Sequence, residues 1–137
     1  MILVDTCVLS EAFRKMDKTS RYSKQIDSFK QMIMDDWPIG LPGIVLQEFL
    51  TGFKTEKKFE KARNVLSGFP VVLAESEDHV LASRIRSMCL SKGISVHGID
   101  CLIASTSINR NYRLLTFDQD FQSIARVCHL KLFQLDS

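Results

Sequence analysis

Ile2-Leu3-Val4-Asp5-Thr6-Cys7-Val8-Leu9-Ser10-Glu11-Ala12-Phe13 sets the fold class of this chain. Three consecutive apolar residues leave no polar face, which is the pattern of a strand covered on both sides. The run stops at an acid. Leu9, Ala12, Phe13 and Met16 then recur at helical spacing. A buried strand, a carboxylate at its end and a helix form the first unit of an α/β sheet.

The rest of the chain repeats that alternation. Residues 20–35 read as a helix with Ile26, Phe29, Met32 and Ile33 on one face, ended by Trp37-Pro38. Ile39-Gly40-Leu41-Pro42 is a short strand. Gly43 precedes a helix carrying Ile44, Leu46, Phe49, Leu50 and Phe53, and a polar helix spans 56–66. Residues 71–73 form a third strand. Ser76 with Asp78 is the N-cap signal of a helix running to Ser91 and closed by Lys92-Gly93. Gly98-Ile99-Asp100 opens a further helix, 114–116 is a strand, Phe121, Ile124 and Ala125 mark a short helix, and 130–135 is the closing strand. The order predicts one α/β domain over residues 1–137, with a mainly parallel central sheet flanked by helices.

Composition agrees. Of 137 residues, 45% are hydrophobic and 25% charged, which excludes a disordered tail and a collagen-like repeat. No apolar run approaches the roughly 18 residues of a membrane span, so no membrane association is expected. The first residues lack the basic start and long apolar stretch of a secretory signal. Cys7, Cys89, Cys101 and Cys128 show no metal-binding spacing and read as reduced thiols, so a cytoplasmic location is expected. The net charge of +2 neither demands nor excludes nucleic acid.

Four segments set a carboxylate among apolar residues: Val4-Asp5, Gln47-Glu48-Phe49, Ile99-Asp100 and Phe117-Asp118. In open parallel sheets, ligands bind beyond the carboxyl ends of the strands. Asp5 and the Asp118/Asp120 pair follow strands there, and the Gly98 turn can aim Asp100 at the same edge. Taken singly, each acid has a plain reading as a helix cap or a solvated residue. Together they pose a charge problem. Two carboxylates about 5 Å apart repel by roughly 3 kcal/mol at an effective dielectric near 20. A cation resolves the conflict, and an all-oxygen set selects Mg²⁺ or Mn²⁺ over zinc. Such a site suits phosphodiester hydrolysis.

The segments ILVDTCVLSEAF (2–13), LQEFLTGF (46–53), GIDCLIAST (98–106) and LLTFDQDFQSIA (114–125) resemble, in order, the four signature segments of the PIN domain. Within that family the chain is similar to VapC, the toxin ribonuclease of bacterial toxin–antitoxin pairs. The resemblance implies a Mg²⁺- or Mn²⁺-dependent endoribonuclease with an RNA substrate. It also implies a cognate antitoxin protein that inserts near the acidic pocket, and a homodimer. On it, Asp5, Glu48, Asp100 and Asp118 are the catalytic, metal-holding acids. Thr6 and Thr116 match supporting hydroxyls, and Asp120 takes a supporting role. Cys7 departs from the usual Ser or Asn.

Two other readings stay open at this point: a housekeeping nuclease of the same fold acting in RNA processing or on structured DNA, and a non-cleaving module that binds RNA or a partner. Other signals are weaker. Asp5-Thr6-Cys7 lacks the second Asp of haloacid-dehalogenase phosphatases. The spacing from Cys7 to Arg14 is one residue too long for a phosphatase loop, and Cys7 reads as a small packed residue. His79, His97 and His129 are scattered and read as surface or half-buried. Lys54, Lys57, Lys58, Lys61 and Arg63, and likewise Arg14, Lys15, Lys18, Arg21 and Lys24, read as solvated faces that can also meet RNA phosphates or an antitoxin.

Overall fold

The computed structural model describes residues 1–14 and 21–135. Met16, Lys15 and Lys18 lie outside them. The elements are β1 (Ile2–Val4), α1 (Thr6–Phe13), α2 (Ser23–Met34), β2 (Ile39–Pro42), α3 (Gly43–Thr51), α4 (Glu56–Leu66), β3 (Val71–Val72), α5 (Ser76–Ser91), α6 (Gly98–Asn109), β4 (Arg113–Leu115), α7 (Gln119–Ala125) and β5 (Lys131–Leu132). The order of strands and helices is the expected one. The last strand is shorter than the apolar stretch 130–135 suggests.

The five strands form one sheet in the order β3-β2-β1-β4-β5, and every pairing is parallel. β1 is central, with Ile2 opposite both Ile39 and Arg113. That position explains its unbroken apolar run: Leu3 and Val4 are fully buried, as are Leu41 on one side and Leu114 on the other. Val8, Phe29, Ile85, Ile103, Phe121 and Ile124 cover the two faces.

Topology places the acids. β1 and β4 lie side by side, and the Asp5 amide extends their pairing by donating to the Leu115 carbonyl at 3.0 Å. Asp5 and the 116–118 turn therefore leave the same edge together. α6 feeds β4, so its last turn lies at the amino edge and its first turn, with Asp100, at the carboxyl edge. α3 starts directly after β2 and brings Glu48 along the same rim.

α5 differs from expectation at its start. Its N-cap is Glu75, not Ser76: Asp78 reaches back to the Glu75 amide at 2.8 Å, forming a capping box. Asp78 is also buried, and pairs with Arg110 at 2.9 Å and Asn109 at 2.9 Å from the far end of α6. Arg110 donates to the Leu73 carbonyl as well, at 3.0 Å. This cluster clamps α6 to α5. Gly93, at φ +75°, turns the chain out of α5 in a conformation open to glycine.

Candidate metal centre

Asp5 is the best-fixed acid. It is 6% exposed and caps α1, accepting from the Thr6 amide at 2.8 Å through Oδ1. Its Oδ2 accepts from the Thr116 hydroxyl at 2.9 Å and from the Cys7 thiol at 3.2 Å. Burial nevertheless prevails over these three donors and raises the Asp5 carboxyl above its ordinary value, with a smaller push from Asp118.

Cys7 is more than a packed residue, contrary to the sequence reading. Besides donating to Asp5, its sulfur accepts from the Phe117 amide at 3.3 Å. Burial and then the Asp5 charge push the thiol up to about 11, so it stays protonated and donates at neutral pH. A small polar atom at this position joins the β1–α1 corner to the β4–α7 turn. Its signal in the sequence was its place two residues after Asp5.

Asp118 caps α7, accepting from the Asp120 amide at 2.9 Å, while its own amide donates to Thr116 Oγ1 at 3.0 Å. The plain cap reading of Asp5 and Asp118 is thus geometrically true of both, and it also fixes their direction. One oxygen each of Asp100, Asp118 and Asp120 lie within 4.8 Å of one another. Asp120, expected only to support, is a full member of this group. Asp100 is pushed up to about 6, by burial first and then by the charges of Asp5, Asp118 and Asp120, with His97 opposing. His97 sits at the N-cap of α6 without capping it, and like His79 and His129 it is exposed.

Glu48 stands apart from that group. It is exposed and accepts from the Thr6 hydroxyl at 3.2 Å. Thr6 thereby spans from Glu48 to Asp5 across the rim. Both line an adjoining cavity of about 310 Å³ with Ser10, Arg14 and Phe53.

Among the described residues, no ion pair involves any of these five acids. The donor set is all carboxylate and hydroxyl oxygen, apart from the protonated Cys7. Mutual charge and burial keep Asp100 reluctant to ionise, a cost that a hard divalent cation removes. The residues fit a hard divalent cation, with Asp100, Asp118 and Asp120 within 4.8 Å of one another, Asp5 close enough for its charge to act on Asp100, and Glu48 at the side.

The model of the PIN domain family matches residues 2–127. The chain belongs to the PIN domain family. No curated protein sequence matches it. Its fold is shared with solved structures of low sequence identity. A chain of VapBC2 from Rickettsia felis, bound to a DNA fragment from its promoter, has 21% identity and a TM-score of 0.77 over 99% of this chain and 100% of that one. FitAcB from Neisseria gonorrhoeae has 20% identity and a TM-score of 0.76, covering 98% and 97%. A toxin–antitoxin complex from Klebsiella pneumoniae has 20% identity and a TM-score of 0.68, covering 88% and 90%. This PIN domain therefore has the fold found in toxin–antitoxin complexes. No helix among the described residues is long and apolar enough to cross a membrane.

Proposed function

We propose that this PIN domain is a Mg²⁺- or Mn²⁺-dependent endoribonuclease and the toxin of a toxin–antitoxin pair, acting in the cytoplasm. The observation that carries the reading is the carboxylate group Asp100, Asp118 and Asp120, within 4.8 Å of one another beside buried Asp5, at the carboxyl edge of the sheet. A divalent ion held there supplies an acidified water and neutralises charge on the scissile phosphate.

The chain's own residues do the rest. Thr116, Cys7 and the Thr6 amide hold the Asp5 carboxylate still. The Asp120 amide holds Asp118. Asp5, Glu48, Asp100 and Asp118 are the acids of the reaction, and one of them takes the proton of the attacking water. In-line attack by water leaves 5′-phosphate and 3′-hydroxyl ends. Incubating the purified chain with RNA, with Mg²⁺, Mn²⁺ or chelator, tests this. Cleavage that persists in excess chelator sinks the metal mechanism.

The antitoxin is expected to insert near the acidic pocket, and α1, which Asp5 caps, also borders an apolar groove that can receive the rest of such a segment. A groove of about 470 Å³ runs between α1, α2 and α4, lined by Leu9, Phe13, Phe29, Ile33, Trp37 and Val65. It suits one apolar face of an amphipathic segment. A neighbouring small gene product that fails to bind the chain and to restore growth refutes this half. For the homodimer, α3 supplies no apolar face, because Val45 and Phe49 are buried and Ile44, Leu46 and Leu50 pack against the same core. The edge strand β3 is a better surface: Val71 is exposed and Leu73, just past its end, is 70% exposed. A monomer in sedimentation at tens of micromolar refutes the dimer.

A further inference from the structure

The helix α4 segregates its charges. At helical spacing its buried side, Ala62 and Leu66, separates two flanks. Glu56, Glu60 and Arg63 occupy one, where Glu60 pairs with Arg63 at 3.5 Å. Lys57, Lys58 and Lys61 occupy the other, with Lys54 just ahead of the helix, and all four lysines are exposed. None of them forms an ion pair among the described residues, although like charges three and four residues apart oppose a helix. After α4 the chain enters β3, which starts at the amino edge of the parallel sheet, so the first turn of α4 and Lys54 point back to the carboxyl edge. Phe53, next to Lys54, lines the same cavity as Thr6 and Glu48. A second cation stands across the acids. Arg86 of α5 reaches the start of α6, its Nη1 3.6 Å from the place a β-carbon on Gly98 would take, two residues before Asp100. Arg86 is exposed and has no carboxylate partner among the described residues. Parallel connections are right-handed, so the step from β2 to β3 places α3 and α4 on one face of the sheet, and the return from β3 to β4 places α5 and α6 on the other.

We propose that an RNA strand crosses the carboxyl edge of the sheet from one face to the other, its phosphates held by Lys54, Lys57 and Lys58 on one side of the acids and by Arg86 on the other. This inference rests on the ribonuclease reading. Five acids at one edge repel a phosphate backbone, so the attraction has to come from cations beside them. Cations already paired to a carboxylate supply little of it. The lysines and Arg86 are unpaired, and the separation of the lysines from Glu56 and Glu60 keeps them open to an anion from outside. Lysine ammoniums are point charges that take phosphates without reading a base, whereas the planar fork of Arg86 grips one phosphate through two oxygens. The track therefore draws the backbone across the acids and dictates no sequence. The apolar groove borders the far end of α4 through Val65, so a segment seated there leaves Lys54, Lys57 and Lys58 to the RNA.

The test is binding of a fluorescein-labelled oligouridylate to the full chain in Ca²⁺, read by anisotropy across a salt series. The triple variant Lys54→Gln, Lys57→Gln, Lys58→Gln is expected to bind at least about tenfold more weakly at low salt and to lower the slope of log affinity against log salt by about two. Arg86→Gln lowers the slope by about 0.7, and all four substitutions together by the sum. Arg113→Gln removes an exposed cation at the amino end of β4 and leaves the slope unchanged. A slope that the lysine variant or Arg86→Gln leaves unchanged overturns the track. So does a slope that Arg113→Gln lowers as much as Arg86→Gln does, or a wild type that binds no RNA. Lysine substitutions that spare RNA binding but release the neighbouring antitoxin assign the flank to that protein and overturn the track as well. Cleavage in Mn²⁺ that every variant keeps at the wild-type KM overturns the track and leaves the ribonuclease reading standing. RNA bound with the expected pattern but never cut overturns only the ribonuclease reading.

Discussion

The Thr116 hydroxyl donates to Asp5 Oδ2 at 2.9 Å and accepts from the Asp118 amide at 3.0 Å, so one side chain sets two acids from different strands. A hydroxyl is the smallest group that donates and accepts at once. Thr116→Val keeps the shape and removes both bonds. The Asp118 amide then loses its partner and Asp5 loses one of its three donors. The expected cost is about 2 kcal/mol of stability, with a larger proportional loss of cleavage than of RNA binding. Thr116→Ser restores both. Thermal unfolding and single-turnover cleavage of the two variants check this. Equal cleavage by Thr116→Val and wild type refutes the positioning role.

Asp100 and Asp5 are both raised, yet only neutralising Asp100 should stabilise the fold. No hydrogen bond to the Asp100 carboxylate occurs among the described residues, and its value of about 6 comes from burial and from three neighbouring charges. A carboxyl raised from 3.8 to about 6 favours the folded chain below the lower value and loses that contribution as pH climbs through the upper one. Asp100→Asn escapes the loss. With solvent screening discounted, the metal-free variant should gain about 1 kcal/mol, or roughly 4 °C in Tm, at pH 7, and nothing near pH 4. Asp5→Asn should gain nothing. Three donors converge on the Asp5 carboxylate, and an amide must turn its own NH₂ toward one of them. Both variants should cleave RNA at least about a hundredfold more slowly. Melts of the two metal-free proteins at pH 4 and pH 7 decide the sign. A rise in Asp5→Asn equal to that in Asp100→Asn removes the distinction.

Divalent metal should stabilise the wild type, since a ligand bound only by the folded chain raises its Tm with concentration. Mn²⁺ at a hundred times its dissociation constant corresponds to about 2.7 kcal/mol. The gain should fade below about pH 6, where Asp100 holds its proton. Asp100→Asn should show little of it. Cleavage should follow the same order, with Mn²⁺ at least equal to Mg²⁺, Ca²⁺ poor, and none in chelator. An unchanged Tm across a Mn²⁺ titration contradicts a site at these residues.

Local patterns made the architecture legible, and pairs remote in sequence did not. Ile2-Leu3-Val4 and Ile39–Pro42 are uniformly apolar because parallel central strands are covered on both faces, and that signal is written in consecutive residues. The strand ends then indicated where Asp5 and Asp118 would lie. The N-cap of α5 is Glu75 rather than Ser76, because Asp78 has three partners, the Glu75 amide, Asn109 and Arg110, and only the nearby one leaves a local trace. The resemblance gives Asp120 only a supporting role beside Asp118. Its approach to Asp100 depends on how α6 meets α7. Cys7 looked inert since a small thiol fits a packed corner equally well, and a flat stack of Tyr22 on Phe117 joins segments with no shared periodicity.

The Asp78–Arg110 pair supplies a separation of fold from site. Burial pushes the Asp78 carboxyl up, but the Glu75 amide, Asn109 and Arg110 together outweigh it and hold the group below its ordinary value. A lowered carboxyl adds stability above its unfolded pKa and loses it as pH falls through the folded value. The pair should therefore sustain the fold at neutral pH and fail in acid. Arg110→Met leaves a buried carboxylate without its cation, and takes from the Leu73 carbonyl the donor that Arg110 supplies. Since Arg110 is partly exposed, the expected loss is about 2 to 3 kcal/mol at pH 7, at the low end for breaking a buried pair, and less in acid, where Asp78 becomes neutral. The clamp holds the far end of α6, whereas Asp100 sits in its first turn beside Asp118 and Asp120. Below its own melting temperature the variant should therefore keep cleavage within about threefold of wild type, because none of the five acids has lost a contact. Urea unfolding at pH 7 and pH 4, beside cleavage rates at low temperature, reads both effects. A stable Arg110→Met with abolished cleavage would place Arg110 in the reaction rather than in the fold.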